Sequence, residues 1–69
     1  MGIQKIKNNI AKKVKNLRID KGISQENLAE FVNMSREHIS CIERAKSMPT
    51  IETLYKLAQY FEVDIKYFF

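Results

Sequence analysis

The stretch that decides the fold is Ser24-Gln25-Glu26-Asn27-Leu28-Ala29-Glu30-Phe31-Val32-Asn33-Met34-Ser35-Arg36-Glu37-His38-Ile39-Ser40-Cys41-Ile42-Glu43-Arg44. Leu28, Phe31 and Val32 give its first half one apolar side, and Ile39 and Ile42 do the same for its second half at i, i+3. Between the halves, Asn33-Met34 reads as a tight turn, because asparagine takes a positive φ more readily than other non-glycine residues. Ser24 and Ser35 stand where hydroxyl N-caps are wanted, and Glu26 puts negative charge on the positive end of the first helix. The spacing predicts two short helices, one of about eight residues ending before Asn33 and one from Arg36 to about Arg44.

Working outward, Ile6, Ile10, Val14 and Leu17 recur at helical spacing upstream, and Lys21-Gly22 closes that segment with a left-handed cap. Downstream, Lys46-Ser47-Met48-Pro49 is a loop. Thr50 caps a helix whose Ile51, Leu54, Leu57, Ala58 and Phe61 form an apolar stripe. Val63-Asp64 restarts a final turn in which Ile65 and Phe68 pack back on the core. The expected fold is all-α: four helices plus a short C-terminal helical turn, one compact five-helix domain over residues 1–69.

The whole chain has 69 residues, 45% hydrophobic and 29% charged, with only two glycines and one proline. That composition fits a small helical domain and argues against a β-rich or disordered chain. No apolar run is long enough for a transmembrane helix, and no signal-peptide pattern precedes the domain, so a cytoplasmic location is expected. Cys41 stands alone, which excludes an internal disulfide framework. His38 and Cys41, three apart, are too few ligands for a metal site, and no cofactor is implied. One histidine, one cysteine, no glycine-rich phosphate loop and no clustered carboxylate pair also argue against an enzyme, and a substrate pocket would consume most of so thin a core.

Charge is distributed unevenly. Residues 1–21 hold seven of the 12 basic side chains and one of the 8 acidic ones, an end suited to nucleic acid or an anionic membrane surface, or simply a solvated lysine face. Lys5 and Lys7 in residues 1–7 are candidates for a basic arm, or for a frayed end. A membrane-binding reading is weak, because the apolar stripe of this segment is needed to complete the domain.

Two short helices joined by a tight turn, the second polar on its outer face, are the elements of a helix-turn-helix, here spanning about residues 24–44. Ala29 sits where the two helices would cross closest. Ile39 and Ile42 pin the second helix, leaving Arg36, Glu37, Ser40 and Cys41 to project outward. Any αα-hairpin shares this periodicity, so the motif sequence carries the rest. Leu17-Arg18, Lys21 through Glu30, Ser35 through Ser40, Ile42-Glu43-Arg44 and Met48 through Leu54, in that order, resemble the XRE, or Cro/lambda-repressor-like, DNA-binding family from about Asn8 to Phe69. Two positions depart from its pattern: Asn33 replaces the turn glycine and Ala45 the glycine after Ile-Glu-Arg. The second predicts a loop with ordinary backbone angles at Ala45.

The resemblance implies a transcriptional regulator, repressor-like, with a recognition helix over about residues 35–44 in the major groove of double-stranded DNA. It implies base contacts from Arg36, Glu37, Ser40 and Cys41. An arginine at the first position suits guanine O6 and N7, a glutamate suits cytosine N4 or merely the helix N-terminus, and a thiol packs on a thymine methyl. It implies phosphate contacts from Gln25, His38, Lys46, Ser47 and Thr50. His38 reads equally as a surface histidine with no task. Arg18 and Glu43 are implied to form a mostly buried ion pair between the first helix and the end of the recognition helix. One helix-turn-helix reads few base pairs, so a homodimer on a palindromic operator is expected. Tyr60, Tyr67 and Phe69 are the candidate dimer contacts. They equally suit a protein-interaction module of the same fold, such as an antitoxin-like partner that holds another protein.

Overall fold

The computed structural model describes residues 2–69. Four α-helices follow one another, α1 (Ile3–Lys21), α2 (Gln25–Phe31), α3 (Arg36–Glu43) and α4 (Ile51–Phe61), and a 3₁₀ turn over Ile65–Phe68 closes the domain. Each element supplies a few side chains to one core: Ile10 and Val14 from α1, Leu28 and Ala29 from α2, Ile39 and Ile42 from α3, and Leu54, Leu57 and Ala58 from α4. Phe68 is fully buried and plugs the end of this core. Burial of one such side chain stabilises by about 1.5–3 kcal/mol, so the last turn is part of the fold rather than a tail. Lys13 holds it down from α1, donating to the Tyr67 carbonyl at 2.9 Å and lying 4.9 Å from the centre of the Tyr67 ring.

Helix starts follow local chemistry. The hydroxyls of Ser24, Ser35 and Thr50 accept the backbone N–H of Asn27, His38 and Thr53, and the carboxylate of Asp64 accepts that of Lys66. Each satisfies one donor that the first turn leaves without an intrahelical partner.

All four helices end in the same way, with one left-handed residue and a pair of backbone hydrogen bonds across the last turn. Gly22 (φ 74°) and Asn33 (φ 58°) are the residues expected there. Ala45 (φ 60°) and Glu62 (φ 58°) are not, and the expectation of ordinary angles at Ala45 is corrected. The left-handed turn lets Ala45 N–H reach the Ile42 carbonyl at 3.1 Å and Lys46 N–H reach the Cys41 carbonyl at 2.9 Å. Those two bonds satisfy end carbonyls of α3 and offset the roughly 1–2 kcal/mol that the conformation costs a residue with a Cβ.

Three further expectations change. Ile3–Lys7 are the opening turns of α1 rather than a frayed end, so Lys5 and Lys7, the candidates for a basic arm, stand on a helix; Met1 lies outside the described residues. Ile51, placed in the inward stripe of α4, is 67% exposed. It shares an outward side with Tyr55, four residues on, while Leu54, Leu57 and Ala58 face the core. Phe31 is exposed as the last residue of α2 and covers itself by stacking on Tyr60, with ring centres 5.1 Å apart.

Candidate nucleic-acid interface

The position of α3 is set from its inner side. Ile39 and Ile42 are buried, and the small Ala29 of α2, also buried, lets the two helices of the motif approach. The turn between them is closed by Met34 N–H on the Ala29 carbonyl at 2.8 Å, with Asn33 left-handed.

The C-terminal end of α3 is tied to both preceding helices through one carboxylate. Arg18 Nε donates to Glu43 Oε2 at 2.7 Å and Arg18 Nη2 to Glu43 Oε1 at 3.0 Å, a two-pronged pair. Arg18 Nη1 donates to the Ile23 carbonyl at 2.9 Å, and Gln25 Nε2 donates to Glu43 Oε1 at 3.1 Å. The Arg18 side chain is 14% exposed and that of Glu43 only 2%, which makes this a largely buried ion pair with each guanidinium nitrogen donating one hydrogen bond. The hydrogen bond that Arg18 donates to Glu43 raises the Arg18 pKa above its ordinary value, against the lowering effect of burial, and the attraction of the Glu43 charge adds to the rise. Such a pair adds orientation more than net stability, yet loss of one partner strands a buried charge.

The outer side of α3 is free. Arg36, Glu37, Ser40 and Arg44 line one open groove of about 430 Å³ along the helix. Three of the four expected base contacts are thus brought together. Cys41 is at the edge, half-buried, with Arg44 Nη2 at 3.9 Å from its sulfur. Arg44 is the residue that sequence reading left out; its spacing of four from Ser40 and eight from Arg36 was the available signal.

The expected phosphate contacts divide. His38 and Lys46 are exposed. Gln25 spends one amide hydrogen on Glu43 and keeps the other. The Thr50 hydroxyl is occupied in both senses, accepting from Thr53 N–H and donating to the Thr53 hydroxyl at 3.1 Å. Ser47 Oγ is buried without a hydrogen-bond partner, turned away from the surface.

The three aromatic residues proposed for a dimer contact also differ. Tyr67 and Phe69 are 42% and 56% exposed, whereas Tyr60 is half-buried between Phe31 and Phe61, with Lys21 Nζ 5.0 Å from its ring centre. Among the described residues no group of three or more His, Cys, Asp or Glu side chains is placed to hold a metal ion. Nor is any described helix long and apolar enough to cross a membrane.

The helix-turn-helix family model HTH_3 matches residues 14–68, from the middle of α1 through the closing turn. The chain belongs to the HTH_3 family. That family is one of transcriptional regulators, not of enzymes. An HTH-type transcriptional regulator of Rickettsia conorii is 34% identical over 67 residues, covering 97% of this chain and 54% of its own length. Another, from Methanocaldococcus jannaschii, is 35% identical over 54 residues, covering 78% of this chain and 82% of its own. The HTH_3 chain therefore spans about half the length of the Rickettsia relative it matches.

Solved structures agree on the fold. The restriction-modification controller protein C.AhdI from Aeromonas hydrophila superposes with a TM-score of 0.90 over 100% of both chains, at 23% identity. An HTH_3 family transcriptional regulator from Vibrio cholerae gives a TM-score of 0.87 at 38% identity, over 96% of this chain and 37% of that one.

Proposed function

We propose that this HTH_3 protein is a cytoplasmic, sequence-specific double-stranded DNA-binding regulator, repressor-like, that reads a palindromic operator as a homodimer. The observation that carries the reading is the division of α3, anchored inside by Ile39, Ile42 and Glu43 while Arg36, Glu37 and Ser40 share an open polar groove outside. A helix held this way enters the major groove with its first turn leading, and Arg36 then meets base edges. Its fork suits guanine O6 and N7, with Glu37 suited to cytosine N4 and Ser40 to either base or phosphate. Cys41, at the edge of the face, suits a thymine methyl. His38, Lys46 and the free amide hydrogen of Gln25 supply backbone contacts that fix register without reading sequence. Thr50 and Ser47 join them only if their hydroxyls are released from the arrangement described above.

A single module covers few base pairs, so specificity calls for two copies, their recognition helices about 34 Å apart on one face of the duplex. The exposed rings of Tyr67 and Phe69 suit the contact between copies, with Tyr60 contributing only the edge left outside its stacking.

Selection of bound sequences from a random duplex library at two salt concentrations tests the whole reading. The expected result is an enriched palindrome with guanine at the Arg36 contact and an affinity that falls steeply as salt rises. Sedimentation of the protein with and without the enriched duplex then gives the stoichiometry, expected as two chains per duplex. A second reading, a module of the same fold that holds another protein, draws on the exposed Phe31, Ile51, Tyr55 and Phe69. Weak, uniform binding with no enriched sequence would favour it over the first.

A further inference from the structure

Tyr67 and Phe69, the two exposed rings offered for the contact between copies, both sit on the closing turn, and a short 3₁₀ turn holds its side chains weakly by itself. Its backbone supplies two bonds, Tyr67 N–H to the Asp64 carbonyl at 2.9 Å and Phe69 N–H to the Lys66 carbonyl at 3.0 Å. Ile65 and Phe68 fix the turn to the core from its inner side. What fixes the outward ring of Tyr67 comes from α1.

Lys13 grips Tyr67 at two points. Its Nζ donates to the Tyr67 carbonyl at 2.9 Å and stands 4.9 Å from the ring centre, within range of cation–π attraction. The positive charge also lies at the C-terminal end of the turn, where carbonyl oxygens concentrate negative charge. The same ring meets Phe68 nearly edge-on, with 5.9 Å between centres and 76° between planes. Among the described residues no carboxylate pairs with Lys13, so its charge is committed to Tyr67. Asn9 and Ile6, one and two turns earlier on the same side of α1, wall a hollow of about 320 Å³ together with Lys5 and Phe69. One side of α1 is thus the seat of the closing turn.

From this geometry we infer that Lys13 is a positioning residue for the dimer contact: it locks the Tyr67 ring in the orientation that a second copy meets. The inference rests on the homodimer reading above and adds what makes that surface ready. An interface side chain ordered before association costs less entropy to bind than one ordered by it. In a contact between identical faces each copy contributes one latch, so the loss of Lys13 counts twice. In this role Lys13 acts through Tyr67 alone and touches neither DNA nor the second copy.

The test compares the full chain with Lys13→Met and Lys13→Arg by sedimentation over a concentration series, with and without the enriched operator. Lys13→Met keeps the apolar stem and loses the charge. Its dimer should dissociate roughly tenfold more readily, two latches lost at about threefold each. Half-saturation of the operator should move to higher protein concentration, while the dependence of binding on salt keeps its slope. The urea midpoint, taken at a dilution where the protein is a single chain, should change little, since Ile65 and Phe68 keep the turn docked. Lys13→Arg should restore dimerisation, because a guanidinium both donates to a carbonyl and lies over an aromatic ring. In a Tyr67→Ala background, Lys13→Met should add nothing further to dissociation.

Unchanged dissociation for Lys13→Met would overturn the inference. So would a urea midpoint that falls in step with dimerisation, which would make Lys13 a support of the fold alone. A salt slope lower by about 0.9 would place Lys13 on a phosphate and overturn it as well. An unaltered protein that stays a single chain with and without the operator would instead remove the homodimer reading itself.

Discussion

At the C-terminal end of α3, Glu43 accepts hydrogen bonds from three nitrogen atoms of two other helices, its side chain only 2% exposed. Two turns earlier, Arg36 and Glu37 stand in solvent, and no described side chain pairs with either. One helix therefore carries an end whose side chain is specified by its protein neighbours and an end whose side chains are left for a ligand to specify. The physical lesson is separation. Under the proposed function, substitutions at the anchored end are expected to change where α3 points and how stable the domain is, and substitutions at the free end to change what α3 binds with the fold undisturbed. A domain this small has few other places to keep the two functions apart.

Breaking the anchored end should produce the largest effect. Glu43→Ala strands the Arg18 guanidinium and the Gln25 amide, and is expected to cost about 3–5 kcal/mol. Urea or thermal unfolding followed by circular dichroism measures this, with Glu43→Gln expected to cost less than Glu43→Ala, because its one amide oxygen still accepts from Arg18, although its amide nitrogen, a donor, loses the second prong. A loss below about 1 kcal/mol for Glu43→Ala would mean that Ile39 and Ile42 hold α3 unaided.

The free end sharpens the contrast. Arg36→Ala should leave unfolding within about 0.5 kcal/mol of the original protein. On the enriched operator it should reduce discrimination at one base pair by about 1–3 kcal/mol. Competition binding against single-base operator variants provides the measure; a matching fall in stability would show that the two ends are not independent.

A smaller effect is expected where α3 stops. Ala45→Gly relieves the left-handed strain, about 1–2 kcal/mol, but adds freedom to the unfolded chain, about 0.4–1 kcal/mol. The net expectation is a gain of roughly 0.5–1 kcal/mol, read as a rise in the urea midpoint with an unchanged slope. A destabilised variant would show that the alanine methyl packs against something worth more than the strain.

The smallest effect concerns pH. Arg18 has its pKa raised in the folded state, so its contribution is fully present below the unfolded value and is lost only as pH rises through the still higher folded one. Both values lie far above neutrality. The stability gap between the original protein and Arg18→Met should therefore be constant from about pH 7 to about pH 9. A gap that closes within that window would mean that the pair is held by a group other than the guanidinium.

Much of this architecture is legible in the sequence, for identifiable reasons. Ser24, Ser35, Thr50 and Asp64 each bind a backbone N–H two or three residues ahead, an interaction that needs no knowledge of the rest of the chain. The apolar spacing of Ile10 and Val14, of Leu54, Leu57 and Ala58, and of Ile39 and Ile42 marks the core faces by the same local rule. Within the recognition face, Arg36, Glu37 and Ser40 emerge together because the residues pinning α3 leave only that side for them. Arg44 follows from the same rule, at four residues from Ser40 and eight from Arg36, although it lies just past the last turn of α3.

What the sequence by itself determined is therefore the order of elements, the capped starts of α2, α3 and α4, most of the core and the outward polar side of α3, since each depends on contacts a few residues apart. Tertiary structure alone decided that Ala45 and Glu62 take the left-handed conformation, although neither residue favours it. It also decided that Gln25 turns one amide hydrogen to Glu43 and that Ser47 buries its hydroxyl. Phe31 and Ile51, apolar at helical spacing, were left outside for the same reason. Which side of a short helix faces inward, and where its chain must turn back, is settled by partners distant in sequence, and no local pattern encodes their position.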